Sequence, residues 1–266
     1  SPTPDIILPA YIPVVRQGSK KLLNKSGISY IAVTLDNLIS YGKSLPRDIK
    51  KWAGADVNTK IILLNYGKDR RIEDIWKERH DYYRYIASIG FDLVTAINYS
   101  IWDAQPHAER LINIKRNLIT FVEMQAYGIP VLPHIYWSGL KDVSRLCEWL
   151  NKYPIVETVA VDLQTLRLEN DWQKAIHELG ILAQQLTPMR HFLITGPTKF
   201  ERIQEISSIL PSFTLTNAGP IRKAAAGFYL RKDGKYEYSN AEKQLLFLSN
   251  TAQYIQLLSH PEPDQH

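Results

Sequence analysis

The sequence has a single cysteine, Cys147, and no long apolar run. One cysteine excludes an internal disulfide and any zinc or iron–sulfur site built from several cysteines. A lone cysteine of this kind is most often a small core residue. No stretch approaches the roughly 20 apolar residues of a membrane span, and the N-terminus lacks the basic-then-apolar pattern of a signal peptide. We therefore expect a cytoplasmic protein with no membrane partner.

Internal repeats, low-complexity segments and linkers rich in proline, glycine and serine are also absent. In a chain of 266 residues that is 45% hydrophobic, this absence favours one domain with a large core. We predict that residues 1–258 form this domain. Residues 259–266 contain two prolines among polar residues and are predicted to be a disordered tail.

Eight short, mostly apolar runs alternate with segments of helical character. Nearly continuous apolar runs are typical of parallel strands buried on both faces. The runs are Ile6–Pro9, Tyr30–Thr34, Lys60–Asn65, Phe91–Asn98, Pro130–Tyr136, Glu157–Asp162, His191–Thr195 and Ser212–Asn217. Eight such units predict a (β/α)8 barrel of the TIM type, which typically needs about 250 residues. A flavodoxin-like open sheet is the alternative, and Tyr11–Val15 fits either a strand or a turn.

The segments between the runs carry apolar residues at helical spacing. The clearest are Arg71–Ile89, Glu109–Tyr127, Lys141–Lys152 and Trp172–Leu186. Gly90 and Gly128 each lie between a helical segment and a strand, where the left-handed conformation of glycine suits a helix end. Beyond the last run, Lys232-Asp233-Gly234-Lys235 predicts a hairpin turn between Gly227–Leu230 and Tyr236–Tyr238.

The chain carries a net charge of +5, and its basic residues cluster, as in Arg47–Lys51 and Lys68–Arg71. A basic surface favours polyanions through phosphate contacts and counterion release. Nucleic acid or a phosphorylated small molecule is therefore an expected partner, and a protein partner stays open. Ordinary solvated helix faces are the alternative, because acidic residues are interspersed throughout.

The loops after the seventh and eighth runs share a Gly-Pro step followed by a cation. Loops at these positions commonly form the phosphate site of such barrels, because glycine lets backbone amides approach an anion. We predict phosphate binding by Gly196, Lys199, Gly219 and Arg222. Against this, proline removes one amide from each loop and is also a good first residue for a helix.

Catalytic groups of such barrels lie at the C-terminal ends of the strands, and Asp162 ends a mostly apolar one. We predict that Asp162 is a nucleophile or general base. His134, on the neighbouring fifth strand, is the predicted acid or orienting group. A histidine inside an apolar strand is, however, more often a hydrogen-bonded core residue.

Five further residues near strand ends are predicted to bind substrate. They are Asp36, Asn65, Asn98, Trp137 and Asn217. Asp36 also suits the start of the helix that follows it. Aromatic residues near the strand ends, among them Tyr136 and Trp102, are candidates for stacking on bases. No metal or cofactor is predicted, since no ligand motif is present; a magnesium ion held by Asp36 and Asp162 is the alternative.

Two stretches around the fourth and fifth strands resemble a known family. They run from Val94 to Pro106, with Asn98 at the strand end, and from Tyr127 to Pro133, with Asn113-Ile114-Lys115-Arg116-Asn117 between them. Over residues 91–133 the chain resembles an uncharacterised family of phage- and plasmid-borne TIM-barrel proteins. In that family a strand ends in Pro-Asp-Phe-Ser, where this chain has Asn98. The resemblance implies that an acid of the family is missing here.

A looser similarity is to the barrel of tRNA-guanine transglycosylases and their DNA-modifying relatives. It is based on Asp162 at a strand end and on the late glycine-containing loops. That class exchanges a base through an aspartate nucleophile, so the similarity implies a nucleotide or nucleic-acid setting. The cysteine-rich zinc site usual in that class is absent from this chain.

Two hypotheses follow from the sequence. The first is an enzyme of base exchange or glycosidic-bond chemistry, in which Asp162 and His134 react and loops around Trp102 and Trp137 exclude water. The second is a non-catalytic barrel that binds nucleic acid or protein within a larger protein, as the start at Ser1 and the presence of Asn98 favour. Barrel statistics favour the enzyme, although fold is only an analogy.

Overall fold

The computed structural model describes residues 7–39, 46–101 and 105–259. Eight parallel strands form a nearly closed barrel and alternate with helices, so the predicted (β/α)8 architecture is confirmed. The strands are β1 (Tyr11–Val15), β2 (Tyr30–Thr34), β3 (Lys60–Leu64), β4 (Leu93–Thr95), β5 (Val131–Leu132), β6 (Thr158–Asp162), β7 (His191–Thr195) and β8 (Phe213–Asn217). The hydrogen-bonded order is β5-β4-β3-β2-β1-β8-β7-β6.

The barrel closes between β5 and β6 through a short seam. The Ile135 amide donates to the Ala160 carbonyl at 2.9 Å, and the Ala160 amide donates to the Pro133 carbonyl at 2.9 Å. On its other side, β6 pairs with β7 along its whole length. Because Pro133 has no N–H, it contributes only an acceptor to the seam.

Helices occupy the connections between strands. They are α1 (Lys20–Leu23), α2 (Leu35–Leu38), α3 (Ile49–Ala53), α4 (Asp69–Lys77), α5 (Arg79–Ile89), α6 (His107–Ala126), α7 (Leu140–Lys152), α8 (Glu169–Gln185), α9 (Phe200–Ile209), α10 (Gly219–Ala225) and α11 (Lys243–Ser259). The predicted segment Arg71–Ile89 is two helices that meet at Glu78. Gly90 adopts a left-handed φ of 72° at the end of α5, as predicted.

The first strand lies later in the chain than predicted. The assignment to Ile6–Pro9 is wrong: residues 7–9 are irregular, and Ile6 lies outside the described residues. The strand is instead Tyr11–Val15, which is wholly buried and pairs with both β2 and β8. Burial between two neighbouring strands favours this segment, which forms a strand although it contains Pro13.

The strands bury both of their faces. One row of side chains fills the barrel interior, and the alternate row packs against the helices, as the period of two requires. The interior row consists of Ile12, Val14, Ala32, Ile62, Leu64, Leu93, Leu132, Ala160 and Leu193. Asp162 lies two residues beyond Ala160, so it continues the interior row to the C-terminal mouth.

A two-stranded hairpin follows the barrel. Its strands β9 (Phe228–Leu230) and β10 (Tyr236–Tyr238) are antiparallel, and Gly234 in the turn has a φ of 76°, so the predicted hairpin is confirmed. Ser259 ends α11; the rest of the predicted tail and Trp102 lie outside the described residues. Within the described ranges, no helix combines the length and apolar character that crossing a membrane requires.

Candidate functional site

A cleft of about 440 Å³ opens beside the C-terminal ends of β3 to β6. This volume is typical of small-molecule sites. The walls come from the loops after those strands and from one face of α8. The described lining residues are Gly67, Lys68, Asp69, Ser100, Ile101, Ile135, Tyr136, Trp137, Ser138, Val161, Asp162, Leu163, Thr165, Leu166, Asp171, Lys174, Ala175 and Glu178.

Asp162 is the buried carboxylate of β6 in this cleft. One oxygen, Oδ1, accepts the Gln164 amide at 2.9 Å, and Oδ2 accepts Nδ2 of Asn98 at 3.1 Å. Burial raises the pKa of Asp162 to about 6, against the opposing effect of these two hydrogen bonds. Among the described residues, the groups that lower the pKa of Asp162 are these two hydrogen-bond donors, and neither is a cation. Two of the predicted site residues, Asp162 and Asn98, are therefore in direct contact.

Two tyrosines lie near this carboxylate. Burial raises the pKa of Tyr136 and of Tyr66, and the negative charge of Asp162 raises both further. Nε2 of Gln164 donates to the Tyr66 hydroxyl at 3.4 Å. Both hydroxyls therefore stay protonated at neutral pH and can donate hydrogen bonds. The sequence suggested stacking for Tyr136 and did not indicate Tyr66, which directly follows Asn65 at the end of β3.

His134 lies inside the barrel at the β5–β6 seam and is not part of the described cleft lining. It is 3% exposed, and burial lowers the pKa of its imidazole to about 3. Its Nδ1 atom has no hydrogen-bond partner among the described residues. Because the ring is neutral at physiological pH, this position does not support the predicted role of His134 as a catalytic acid.

Asn65 holds two strands together and does not face the cleft. Its Nδ2 donates to the Thr95 carbonyl at 2.7 Å, and its amide donates to Oγ1 of Thr95 at 2.8 Å. Its Oδ1 accepts the Tyr82 hydroxyl. The predicted substrate role of Asn65 is therefore not supported, because its side-chain amide is already used between β3 and the surrounding structure.

Asp36 binds residues of the loop and helix that follow β3. Its Oδ1 accepts Nη1 of Arg71 at 2.8 Å and the Lys68 amide at 3.3 Å. Thr34, not Asp36, caps α2 by accepting the Asn37 amide. The structure places Asp36 outside the described lining of the cleft and in an ion pair, so direct substrate binding by Asp36 is not supported.

Asn217 ties the last two loops together. Its Nδ2 donates to the Pro197 carbonyl at 2.6 Å, and its Oδ1 accepts the Gly219 amide at 2.9 Å and the Tyr11 hydroxyl at 3.3 Å. These bonds replace the substrate contacts predicted for Asn217. Trp137, by contrast, lines the cleft, as the sequence predicted.

The predicted phosphate loops have no free glycine amides. The amide of Gly196 donates to the Thr216 carbonyl at 3.1 Å, and the amide of Gly219 donates to Asn217, so a phosphate would have to replace both bonds. Lys199 and Arg222 are exposed and lie outside the described lining of the cleft. These bonds do not support the predicted phosphate contacts of the two glycines, and Lys199 and Arg222 stay candidates for anion contacts.

These features define a (β/α)8 barrel with a cleft of mixed polar and apolar lining at its C-terminal mouth, in which one buried aspartate has a raised pKa. Among the residues that the structure describes, no group of three histidine, cysteine, aspartate or glutamate side chains could hold a metal ion. No known family model matches the chain, and a search of curated proteins finds no match either. The resemblances to the phage- and plasmid-borne family and to the transglycosylase barrel stay predictions.

Proposed function

We propose that this chain is an enzyme that cleaves or exchanges the glycosidic bond of a nucleotide or nucleic acid, with Asp162 as general base or nucleophile. The observation that carries the proposal is the buried Asp162 carboxylate in the cleft, held by Asn98 and the Gln164 amide. Its pKa of about 6 leaves it mostly ionised at pH 7 and still basic enough to take a proton.

The chemistry assigns a role to each neighbouring group. In hydrolysis, Asp162 takes a proton from water, whose oxygen bonds to the anomeric carbon. The bond from that carbon to the base breaks, and the base leaves with the electron pair and a proton. In exchange, Asp162 attacks the carbon directly, and an incoming base later displaces it. Asn98 fixes the carboxylate. Tyr136 is the proposed proton donor to the leaving base, and its hydroxyl regains a proton from Asp162 in hydrolysis or from the incoming base in exchange.

The charges around the mouth support a substrate that carries phosphate outside the cleft. Lys199 follows β7 and Arg222 lies in α10 after β8, and both are exposed. The net charge of +5 adds a general attraction for polyanions. Phosphate contacts at such cations position a nucleic acid, while the cleft holds the reacting unit.

A non-catalytic barrel that binds nucleic acid or protein is the second candidate. It is favoured by the positions of His134, Asn65 and Asn217, which hold the fold together instead of meeting in one site. Because His134 lies in the packed interior, fewer side chains are left that could act in catalysis.

Release of free bases distinguishes the enzyme from the non-catalytic barrel. Nucleosides, nucleotides, single-stranded DNA and tRNA are incubated with wild type, Asp162→Asn and Asp92→Asn, and bases are separated by chromatography. Asp92 is the matched control, because it accepts the Ile61 amide at 2.8 Å before β4, at the opposite end of the barrel. We expect release that falls at least about 100-fold in Asp162→Asn alone, the scale of lost acid–base catalysis.

Full activity in Asp162→Asn would reject the proposed mechanism. Salt-sensitive binding of DNA or tRNA without any base release would favour the binding module.

A further inference from the structure

We infer that Glu178 recognises an amino group on the base that enters the cleft. The inference rests on the proposed function, and it adds a specificity determinant on α8, an element for which the sequence predicted no functional role.

Glu178 belongs to a stripe of α8 that faces the cleft. Asp171, Lys174, Ala175 and Glu178 all line it, and their spacing of three, four and seven residues places them on one helix face. The residues of α8 that pack into the core, such as Trp172, belong to a different face. Asp171 and Lys174 are exposed, whereas Glu178 is 7% exposed and forms the buried end of the stripe.

The cleft around Glu178 suits a ring. Ile135, Val161 and Leu163 contribute buried apolar side chains to its lining. Such a surface packs against the face of a base, and the polar edge of the base then needs partners inside the cleft. Both oxygens of a carboxylate are hydrogen-bond acceptors, so the Glu178 carboxylate matches an N–H donor and opposes a carbonyl oxygen.

The charge of the cleft points to the same ligand. The described lining has four carboxylates, those of Asp69, Asp162, Asp171 and Glu178, and two lysines. This excess of acids disfavours an anion inside the cleft although the whole chain is basic. It favours an uncharged base with an exocyclic amine, as in cytosine or adenine, whose amino groups carboxylates are known to accept from.

Isosteric nucleosides test this assignment by isothermal titration calorimetry. Cytidine is compared with uridine, and adenosine with inosine, because each pair exchanges the exocyclic amine for a carbonyl and the neighbouring ring nitrogen from an acceptor to an N–H donor. Wild type is expected to bind the amino member at least about tenfold more tightly in each pair, since a site built for a donor rejects the analogue that lacks it. Glu178→Gln is expected to reduce the preference below about threefold, because an amide both donates and accepts.

Glu148→Gln is the matched control, on the exposed surface of α7 and outside the described cleft lining. It should leave both preferences unchanged. If Glu178→Gln does not fold by circular dichroism, Glu178→Asp replaces it and should weaken binding while the preference survives.

The outcomes separate this inference from the proposed function. Amine preference that depends on Glu178 without base release supports the inference and contradicts the reaction. Base release with equal binding of both members, or with an unchanged preference in Glu178→Gln, overturns the inference and leaves the reaction standing. If none of the four nucleosides binds wild type, the inference is overturned.

Discussion

Asp162 is a carboxyl group whose ionisation the fold opposes through burial. Since only the ionised form is a base or nucleophile, kcat/KM for base release should rise about tenfold per pH unit below pH 6 and level off above it. A pH series from 4.5 to 8 measures this dependence. A profile that stays flat between pH 5 and pH 7 would show that Asp162 does not titrate in the rate-determining step.

Burial of the ionised Asp162 carboxylate also lowers the free energy of unfolding, so removing its charge should recover that stability. The pKa of Asp162 is raised from 3.8 to about 6 on folding, so the folded state binds the proton more tightly than the unfolded state. The penalty is absent below about pH 4, grows between pH 4 and 6, and is complete above that range. Between pH 4 and pH 8, the stability of Asp162→Asn relative to wild type should therefore rise by about 2–3 kcal/mol.

Urea unfolding of the two proteins at pH 4 and pH 8 measures this difference. Asparagine at position 162 has one oxygen for the two donors of Asn98 and Gln164, so one hydrogen bond is lost at both pH values, and the change in the difference between pH 4 and pH 8 isolates the charge. An equal difference at both pH values would mean that ionisation of Asp162 is not its source.

Of the individual residues in and around the cleft, the sequence indicated some and not others. Asp162 and Asn98 were found because a polar side chain follows an apolar strand, and that pattern also identifies the mouth of a barrel. The same pattern also selected Asn65 and Asn217, whose side-chain amides bond within the fold, because the sequence does not show which amides have such partners. Glu178 was missed because a charged helix residue normally indicates a solvated face.

Among the elements, the loop after β7 supports the loop after β6 through Gly196. A Cβ there would lie 2.6 Å from the Cα of Gln164, and the φ of 119° is one that other residues rarely adopt. Gly196→Ala should therefore cost about 1–3 kcal/mol of stability. Because the displaced Gln164 amide holds Asp162, kcat should fall as well.

Thermal unfolding and base release of Gly196→Ala test this coupling between the two loops. Gly18→Ala is the control, since a Cβ at Gly18 meets nothing within 4 Å and its φ is not in the left-handed region. If Gly196→Ala matches Gly18→Ala in both measurements, the close approach of Gly196 to Gln164 affects neither stability nor activity. The role is different from the predicted phosphate contact, although the same glycine was singled out.

Element prediction succeeded where burial on both faces produced an unbroken apolar run. Tyr30–Thr34 and His191–Thr195 were predicted with their observed bounds. The first strand was misplaced because Ile6–Pro9 is apolar too, and only the pairing of Tyr11–Val15 with two neighbours distinguishes them. That pairing is a long-range property, which a local pattern does not contain.

In the whole molecule, the mouth of the barrel divides into two sides. The cleft lies beside β3 to β6 and has an excess of acids, whereas Lys199 and Arg222 follow β7 and β8. This division is the one that the proposed function requires, with a base inside the cleft and phosphate outside it. The net charge of +5 alone did not reveal it, because a sum over the chain contains no information on where charges lie.

The β5–β6 seam is the least paired junction of the barrel, and it lies beside the cleft. Local opening there breaks the fewest hydrogen bonds. The amides of Ile135 and Ala160 should therefore exchange with solvent faster than the Leu215 amide, which donates to the Ala10 carbonyl where β1 and β8 pair. Saturating cytidine should slow exchange at Ile135 and Ala160 and leave Leu215 unchanged, since the lining residues Tyr136 and Asp162 follow the two sides of the seam. Hydrogen exchange followed by NMR measures all three amides in one experiment. Equal slowing at Leu215 would indicate that the ligand stabilises the barrel as a whole. Slowing confined to Ile135 and Ala160 would show that the ligand stabilises the contact between β5 and β6.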